Sequence, residues 1–329
     1  LGRELPNYMK LNYDPPKTYT NSYVITPAAN TTNCGPLACG TVVTSKVYST
    51  RTQTATCGAG TGCASTYVTN TLNPAFAGVT DVISNINSSY NGLTAEIEKR
   101  ANKLLAFDVS YTWSHALDFN QSNATQASTN NWYDPYANSR ANYGNSMFNM
   151  PQRLVTWAIF NAPGIHGDSP LKWLANGWSL KPLLQAQTGL PFSLTVGGSI
   201  PNQCYYTTGC LEAAGSGLSG TGVSYIPQIG RDTFRYPATV QADLRAEKDF
   251  TFAERYHLQL IGESFNLPNH LNATGVTTQG YTSSITQGSP TQAPVGKLTY
   301  QTTFKSLTNA NSNYAFSPRQ IQLALRLQF

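Results

Sequence analysis

Ser114, His115 and Asp118 lie within five residues and carry the group types of a nucleophile, a base and an orienting acid. Their neighbourhood, LLAFDVSYTWSHALD, alternates apolar and polar residues and so reads as a strand. In a strand, Ser114 and His115 point to opposite faces. A triad needs all three groups in mutual hydrogen-bond reach, so catalysis is not expected here and the chain is expected to be no enzyme. The glycine-rich CGAGTGC at 57–63 has no following helix to hold a phosphate, and it reads as a loop tip. The four histidines, His115, His166, His257 and His270, have no metal-ligand spacing, and no cofactor is expected.

Six cysteines form three close pairs, Cys34 with Cys39, Cys57 with Cys63 and Cys204 with Cys210, each within Gly, Thr, Asn and Ala. Local disulfides in an oxidising compartment are the first reading. A zinc site is the alternative, disfavoured because the spacings are not CxxC and no histidine lies nearby.

The elements that must position these groups are strands. Leu93, Ala95 and Ile97 alternate with Thr94, Glu96 and Glu98, and Leu105, Phe107, Val109, Tyr111 and Trp113 alternate with Ala106, Asp108, Ser110, Thr112 and Ser114. A hairpin with its turn near 100–103 is expected. Further strands are expected over 152–162, 176–190, 238–250, 255–267 and 319–329, with another at LPNYMKLNY near the start, roughly eight in all. The facing of 152–162 is undetermined, because it is nearly all apolar. Pro182 inside its run predicts a bulge or weak pairing. Strands of this length match the ~9–11 tilted residues that cross a bilayer.

The composition agrees. Of the 329 residues 11% are charged and 11% aromatic, the net charge is +5 without a basic run, and mean hydropathy is −0.30. No nucleic-acid partner is expected. Nothing reaches the ~18 consecutive apolar residues of a membrane helix. The connections alternate between tight or moderate ones, near 101–102, 163–175 and 250–254, and long ones, at about 14–87, 116–151, 191–237 and 268–317. In a meander, alternate connections share an end, so the long loops with all three cysteine pairs fall on one side. The expected fold is therefore all-β: an antiparallel up-and-down transmembrane β-barrel with long outer loops and short periplasmic turns. The apolar face would meet outer-membrane lipid. Trp178, Phe250, Phe252 and Phe329 would form an interfacial girdle at the short-turn side, with Trp113 towards the outside. A structural or adhesive barrel without transport, and a soluble β-sandwich, are the other readings.

The segments SSYNGLTAEIEKR, LLAFDVSYTWSHALD, RLVTWAIFNAPG, NGWSLKPLLQAQTGLPFS, VQADLRAEKDF and LQLIGESFNLPNH, in this order, resemble the C-terminal barrel of TonB-dependent outer-membrane receptors, closest to the Oar-like type. The resemblance implies a barrel of ~22 strands with an N-terminal plug and a TonB-contacting box. On that basis residues 1–329 would be the C-terminal part of the barrel in the outer membrane of a Gram-negative bacterium, with the plug and an N-terminal regulatory-like domain not present. Its partners would be the remaining barrel and plug, the TonB complex through them, and an unknown solute taken up by energised transport.

Lumen-facing candidates are Glu96, Glu98, Asp108, Lys181, Asp243, Arg245, Glu247, His257, Glu263 and Arg326. They would form a mixed-sign ladder holding the wall or plug, or contact a solute. Trp132, Tyr133, Tyr136, Tyr205 and Tyr206 in the long loops are ligand candidates. The terminal RQIQLALRLQF resembles the signal read by the outer-membrane assembly machinery, with Leu325, Leu327 and Phe329 as its outward residues.

Overall fold

A computed structural model describes residues 2–11, 18–53, 67–69, 73, 75, 79–100, 102–119, 143–165, 172–198, 203–205, 209–214, 226, 228–252, 256–286, 295–310 and 317–329. Strands are numbered β1 to β21 along the chain. Eight of them run in one antiparallel sheet in the order β1 (Gly2–Leu11), β5 (Val79–Lys99), β6 (Leu105–Asp118), β8 (Gln152–Asn161), β9 (Trp178–Gln187), β15 (Thr239–Phe252), β16 (Tyr256–Phe265) and β21 (Gln320–Gln328). The short β7 (Gly144–Asn145) adds to the outer end of β6. From β5 onward each neighbour in this meander is the next long strand of the sheet, the arrangement expected from alternating tight and long connections, while β2, β3 and β4 intervene between β1 and β5.

The register confirms the two faces. Leu93 lies opposite Trp113, Ile97 opposite Val109, Ala242 opposite Leu184, and Leu260 opposite Leu325. Residues directly opposite one another share a face, so one apolar face runs from β5 to β21. It is open to the surroundings, with Leu323 83% and Phe329 86% exposed. A continuous apolar face of this extent suits lipid and not water. The register also settles the facing of β8. Leu154, Thr156 and Phe160 lie on the apolar side, while Arg153, Val155 and Trp157 lie on the polar side.

Turn chemistry ends the strands. Asn102 Oδ1 accepts from the amides of Leu104 and Leu105 at 2.9 and 2.7 Å, closing the β5–β6 turn as an Asx turn. At Pro182 no bulge forms. The β8–β9 register is the same at Trp157–Leu183 and Phe160–Leu180, but the ladder is interrupted between them, where proline has no N–H to donate.

The outer connections correct the sequence reading. They are not plain loops, and the first is shorter than expected, because β5 begins at Val79 and not near residue 88. They contain β2 (Thr18–Thr26), β3 (Val42–Gln53), β4 (Tyr67–Thr69), β10 (Pro191–Phe192), β11 (Thr195–Gly197), β12 (Gln203–Tyr205), β13 (Gly209–Ala214), β14 (Phe234–Arg235), β17 (Ala273–Val276), β18 (Gln279–Thr286), β19 (Val295–Tyr300) and β20 (Leu307–Ala310). Seven of these join in the order β11-β18-β19-β2-β3-β13-β12, with β4 against β3. Three separate outer connections thus interlace into one cap. The pairings β11–β18 and β19–β2 are parallel, which only segments distant in sequence can make.

The apolar core sits in this cap. Tyr23, Ile25, Val43, Leu194, Val196, Tyr281 and Leu298 pack together there, each at most 2% exposed. Tyr281 Oη donates to Cys34 O at 2.7 Å, and burial pushes its phenol pKa up. Gly296 admits Tyr23, because a Cβ there would meet the ring at 2.3 Å. The one helix among the described residues, α1 (Lys172–Ala175), lies in the moderate connection between β8 and β9. No described helix is long and apolar enough to cross a membrane, which says nothing of strands.

Candidate functional site

The polar face gathers four of the sequence candidates into one cluster. Glu247 on β15 lies opposite Ser179 and Ile261, and its side chain is 4% exposed. Lys181 on β9 donates to Glu247 Oε2 at 2.6 Å. Arg245, two residues from Glu247 and on the same face, donates through Nε to Glu247 Oε1 and through Nη1 to Glu263 Oε1 at 3.1 Å. Gln259 joins Glu247 and Asp249 from β16. The four charges sum to zero, and every charge has an opposite partner, which is what burial on a partly dry wall requires.

Asp243 is held differently. It accepts from Gln241 Nε2 at 2.7 Å and from the Asn266 amide at 2.8 Å, so it fixes the outer corner after β16. Asn266 itself adopts φ 50° and is fully buried, bonding His270 and Ser317. His257 meets Thr251 at the periplasmic end. Arg326 lies opposite Gln259. Glu98 lies directly opposite Asp108, with Glu96 two residues along the same face. Like charges facing one another across a ladder are unfavourable.

The Ser114, His115 and Asp118 side chains do not address one another. Ser114 Oγ donates to Met150 O at 2.6 Å, and His115 Nε2 meets Asn145 Oδ1 at 3.3 Å. Asp118 instead belongs to a buried polar network at the outer rim that no sequence pattern announced. Arg231, its side chain 3% exposed, donates to Asp118 Oδ1 at 2.6 Å, to Asp232 Oδ2 at 3.0 Å and to Gly144 O at 3.3 Å. Ser193 bonds Asp232 on both its carboxylate and its amide at 2.9 Å. Arg235 donates to the carbonyls of Asn149 and Gly189. These contacts tie the 188–238 connection to the tops of β6 and β9. Burial pushes the Asp232 carboxyl up against the opposing pull of Arg231 and Ser193, and burial pulls the Arg235 guanidinium down.

Lys248 is a second residue that the alternation did not account for. It follows Ala246 on the apolar face, opposite Trp178 and Leu260, yet it is 3% exposed. α1 covers it: the ammonium donates to the carbonyls of Trp173 and Asn176 and sits over the Phe250 ring at 4.6 Å. The aromatics Trp173, Trp178, Phe250 and Phe252 gather at this short-turn end, while Trp113 lies near the opposite end beside Gln152.

Cys34 and Cys39 form a disulfide within the cap. Cys204 and Cys210 stand directly opposite in the β12–β13 hairpin, a strand pair where the sequence suggested loop. Cys57 and Cys63 lie outside the described residues, as do the ligand candidates Trp132, Tyr133, Tyr136 and Tyr206. Tyr205 falls at the end of β12. Among the described residues no group of His, Cys, Asp and Glu is arranged to hold a metal ion.

A long-stranded antiparallel meander with one apolar face open to lipid, one charge-paired polar face, tight turns at one end and folded connections at the other defines the class of transmembrane β-barrels. The chain belongs to the outer membrane beta barrel domain family, whose model matches residues 2–322. That membership assigns it to the outer membrane of a Gram-negative bacterium, in contact with membrane lipid. Comparison with curated proteins and with solved structures found no match.

Proposed function

We propose that this chain is the C-terminal barrel portion of a TonB-dependent receptor of the Oar-like type, which takes up a solute across the outer membrane by energised transport. The observation that carries the proposal is the open arc of the main sheet. Among the described residues, β21 pairs with β16 alone and β1 with β5 alone. β1 covers β5 only from Val79 to Ser88, so Ser89–Lys99 has β6 as its sole described neighbour. Unpaired backbone in hydrocarbon costs several kcal/mol per group, ~2–7 by transfer data. Further strands covering both edges would remove that cost. Glu96 and Glu98 lie on this exposed stretch of β5, and cations on a neighbouring strand would relieve their repulsion with Asp108. A larger barrel of this kind is the size that holds a plug.

The genomic sequence upstream of Leu1 tests the reading. A plug and a TonB-contacting box are expected there; a signal peptide directly before Leu1 would sink the proposal. The terminal residues Leu325, Leu327 and Phe329, all on the apolar face, suit recognition by the outer-membrane assembly machinery. Deleting Phe329 in the full protein is expected to lower the heat-modifiable, membrane-inserted fraction several-fold in cells. Insertion equal to the parent would remove that role.

The second reading, a structural or adhesive barrel, draws on the cap. A disulfide-closed sheet with its own core presents a folded surface to the outside, where a partner surface could bind without any transport.

A further inference from the structure

We infer that the mouth of the barrel carries a binding site for a neutral, hydroxylated ligand of about disaccharide size, formed where the cap meets the polar face. A cavity of about 580 Å³ lies there. That volume falls within the ~300–1,000 Å³ of small-ligand sites. Its floor is Gln187 and Thr239, the outermost polar-face pair of the β9–β15 ladder. A ligand held there stands directly above the lumen wall. The site deepens the uptake reading and rests on it only for what happens after capture.

The lining sets the ligand class. Aliphatic hydroxyls come from Ser193, Thr195, Thr239, Thr274 and Thr278, with Thr195 Oγ1 and Thr278 Oγ1 3.3 Å apart. Hydroxyls donate and accept equally, which matches a polyol better than a ligand of one polarity. Phe192 and Tyr236 provide an aromatic wall, their rings edge to face with centroids 5.2 Å apart. An aromatic ring with a polar tip covers the C–H face of a pyranose while its rim stays wet. Among the described residues Asp232 is the one charged residue in the lining, and no described lysine, arginine or histidine lines the cavity. An anionic ligand would therefore meet a carboxylate whose cation, Arg231, lies behind it and is already engaged by Asp118 and Asp232. Asp232 accepts from Arg231 and Ser193, and an ionised carboxylate has about four lone-pair sites, so it can still accept from ligand hydroxyls.

The geometry is maintained by close backbone contact. Gly189 lets the two sides of the cavity meet, since a Cβ there would fall 1.9 Å from Tyr236 O. Tyr236 N donates to Leu190 O at 3.0 Å across the same junction.

The test uses the full chain folded in a zwitterionic detergent without a sugar headgroup, with cellobiose and glucose 6-phosphate as probes in calorimetric or saturation-transfer titrations. Cellobiose is expected to bind saturably, and glucose 6-phosphate at least tenfold more weakly. Thr239→Trp, which fills the floor, is expected to weaken cellobiose binding at least tenfold. Thr278→Val, which removes one hydroxyl at constant volume, is expected to weaken it several-fold. Both variants should retain the parent's heat-modifiable mobility. No saturable cellobiose binding by the folded parent, equal binding of the phosphate, or binding unaffected by Thr239→Trp would each overturn the site. Saturable binding in detergent together with an upstream sequence lacking a plug would retain the site and overturn the transport reading alone.

Discussion

Among the described residues, Glu247 is the centre of the charge cluster on the polar face. It accepts from Lys181 and Arg245 and is nearly fully covered, while Lys181 and Arg245 are 35% and 40% exposed. Removing its charge takes the carboxylate partner from Lys181 and leaves Arg245 with Glu263 alone. Glu247→Gln is expected to cost about 1–3 kcal/mol, below the ~3–5 of a fully buried pair, because solvent screens the exposed cations. Urea unfolding in lipid vesicles measures it, and adding Lys181→Gln should recover part of the loss. Asp232 predicts a pH dependence outside the membrane. Its folded pKa is raised by burial above the ordinary 3.8. Such a carboxyl contributes stability that is fully present below 3.8 and lost as pH rises through its folded value. Asp232→Asn does not titrate. The parent's advantage over this variant should therefore grow as pH falls from about 7 to about 4. A gap between the two urea midpoints that stays constant with pH would refute the burial shift.

At the scale of elements, the two faces of a barrel strand tolerate charge differently. Leu184 lies on the apolar face opposite Thr156 and Ala242, and Gln185 lies on the polar face opposite Val155 and Gln241. Leu184→Arg places a cation against lipid and is expected to cost more, up to about 2–4 kcal/mol. Gln185→Arg should cost under about 1 kcal/mol, because it faces the polar side. Unfolding free energies in vesicles compare the two, and equal costs would contradict the assigned facing. This two-sidedness is why the eight barrel strands were legible in the sequence. A strand between lipid and a polar interior writes its environment as a period of two, and Leu258, Leu260, Leu323 and Leu325 follow it. The register then follows from matching like faces. β8 was ambiguous because Val155, Trp157 and Ile159 put apolar residues on the polar side. Lys248 was illegible because its neutralising partners are main-chain carbonyls, which carry no sequence signature. The cap was missed for another reason. Its strands are mostly short and its decisive contacts are far apart in sequence: Tyr281 reaches Cys34 across 247 positions. No local period records such a partner. The Arg231 network is hidden in the same way, joining Arg231 to Asp118 across 113 positions of chain.

The whole molecule consists of two differently stabilised parts. The barrel sheet is held by a long backbone ladder with its apolar face in lipid, whereas the cap is held by a packed core of its own. Between them the described links are local and include the Arg231 network, the Arg235 bonds, the Asn272 bonds to the Val240 main chain and the covered junction at Gly189. Parts joined so sparsely open independently. Leu298→Ala removes a fully buried side chain from the cap core, and such truncations cost about 2–5 kcal/mol. The loss should appear as faster amide exchange in β19 and in β2 and β18, which pair with it on either side. Exchange in β9, β15 and β16 should remain as in the parent, because their ladder does not include Leu298. Hydrogen exchange of the full chain in lipid nanodiscs reads both regions at once. Uniform acceleration across cap and barrel would mean that the two unfold as one unit, and the cap could then not rearrange over the mouth without loosening the wall beneath it.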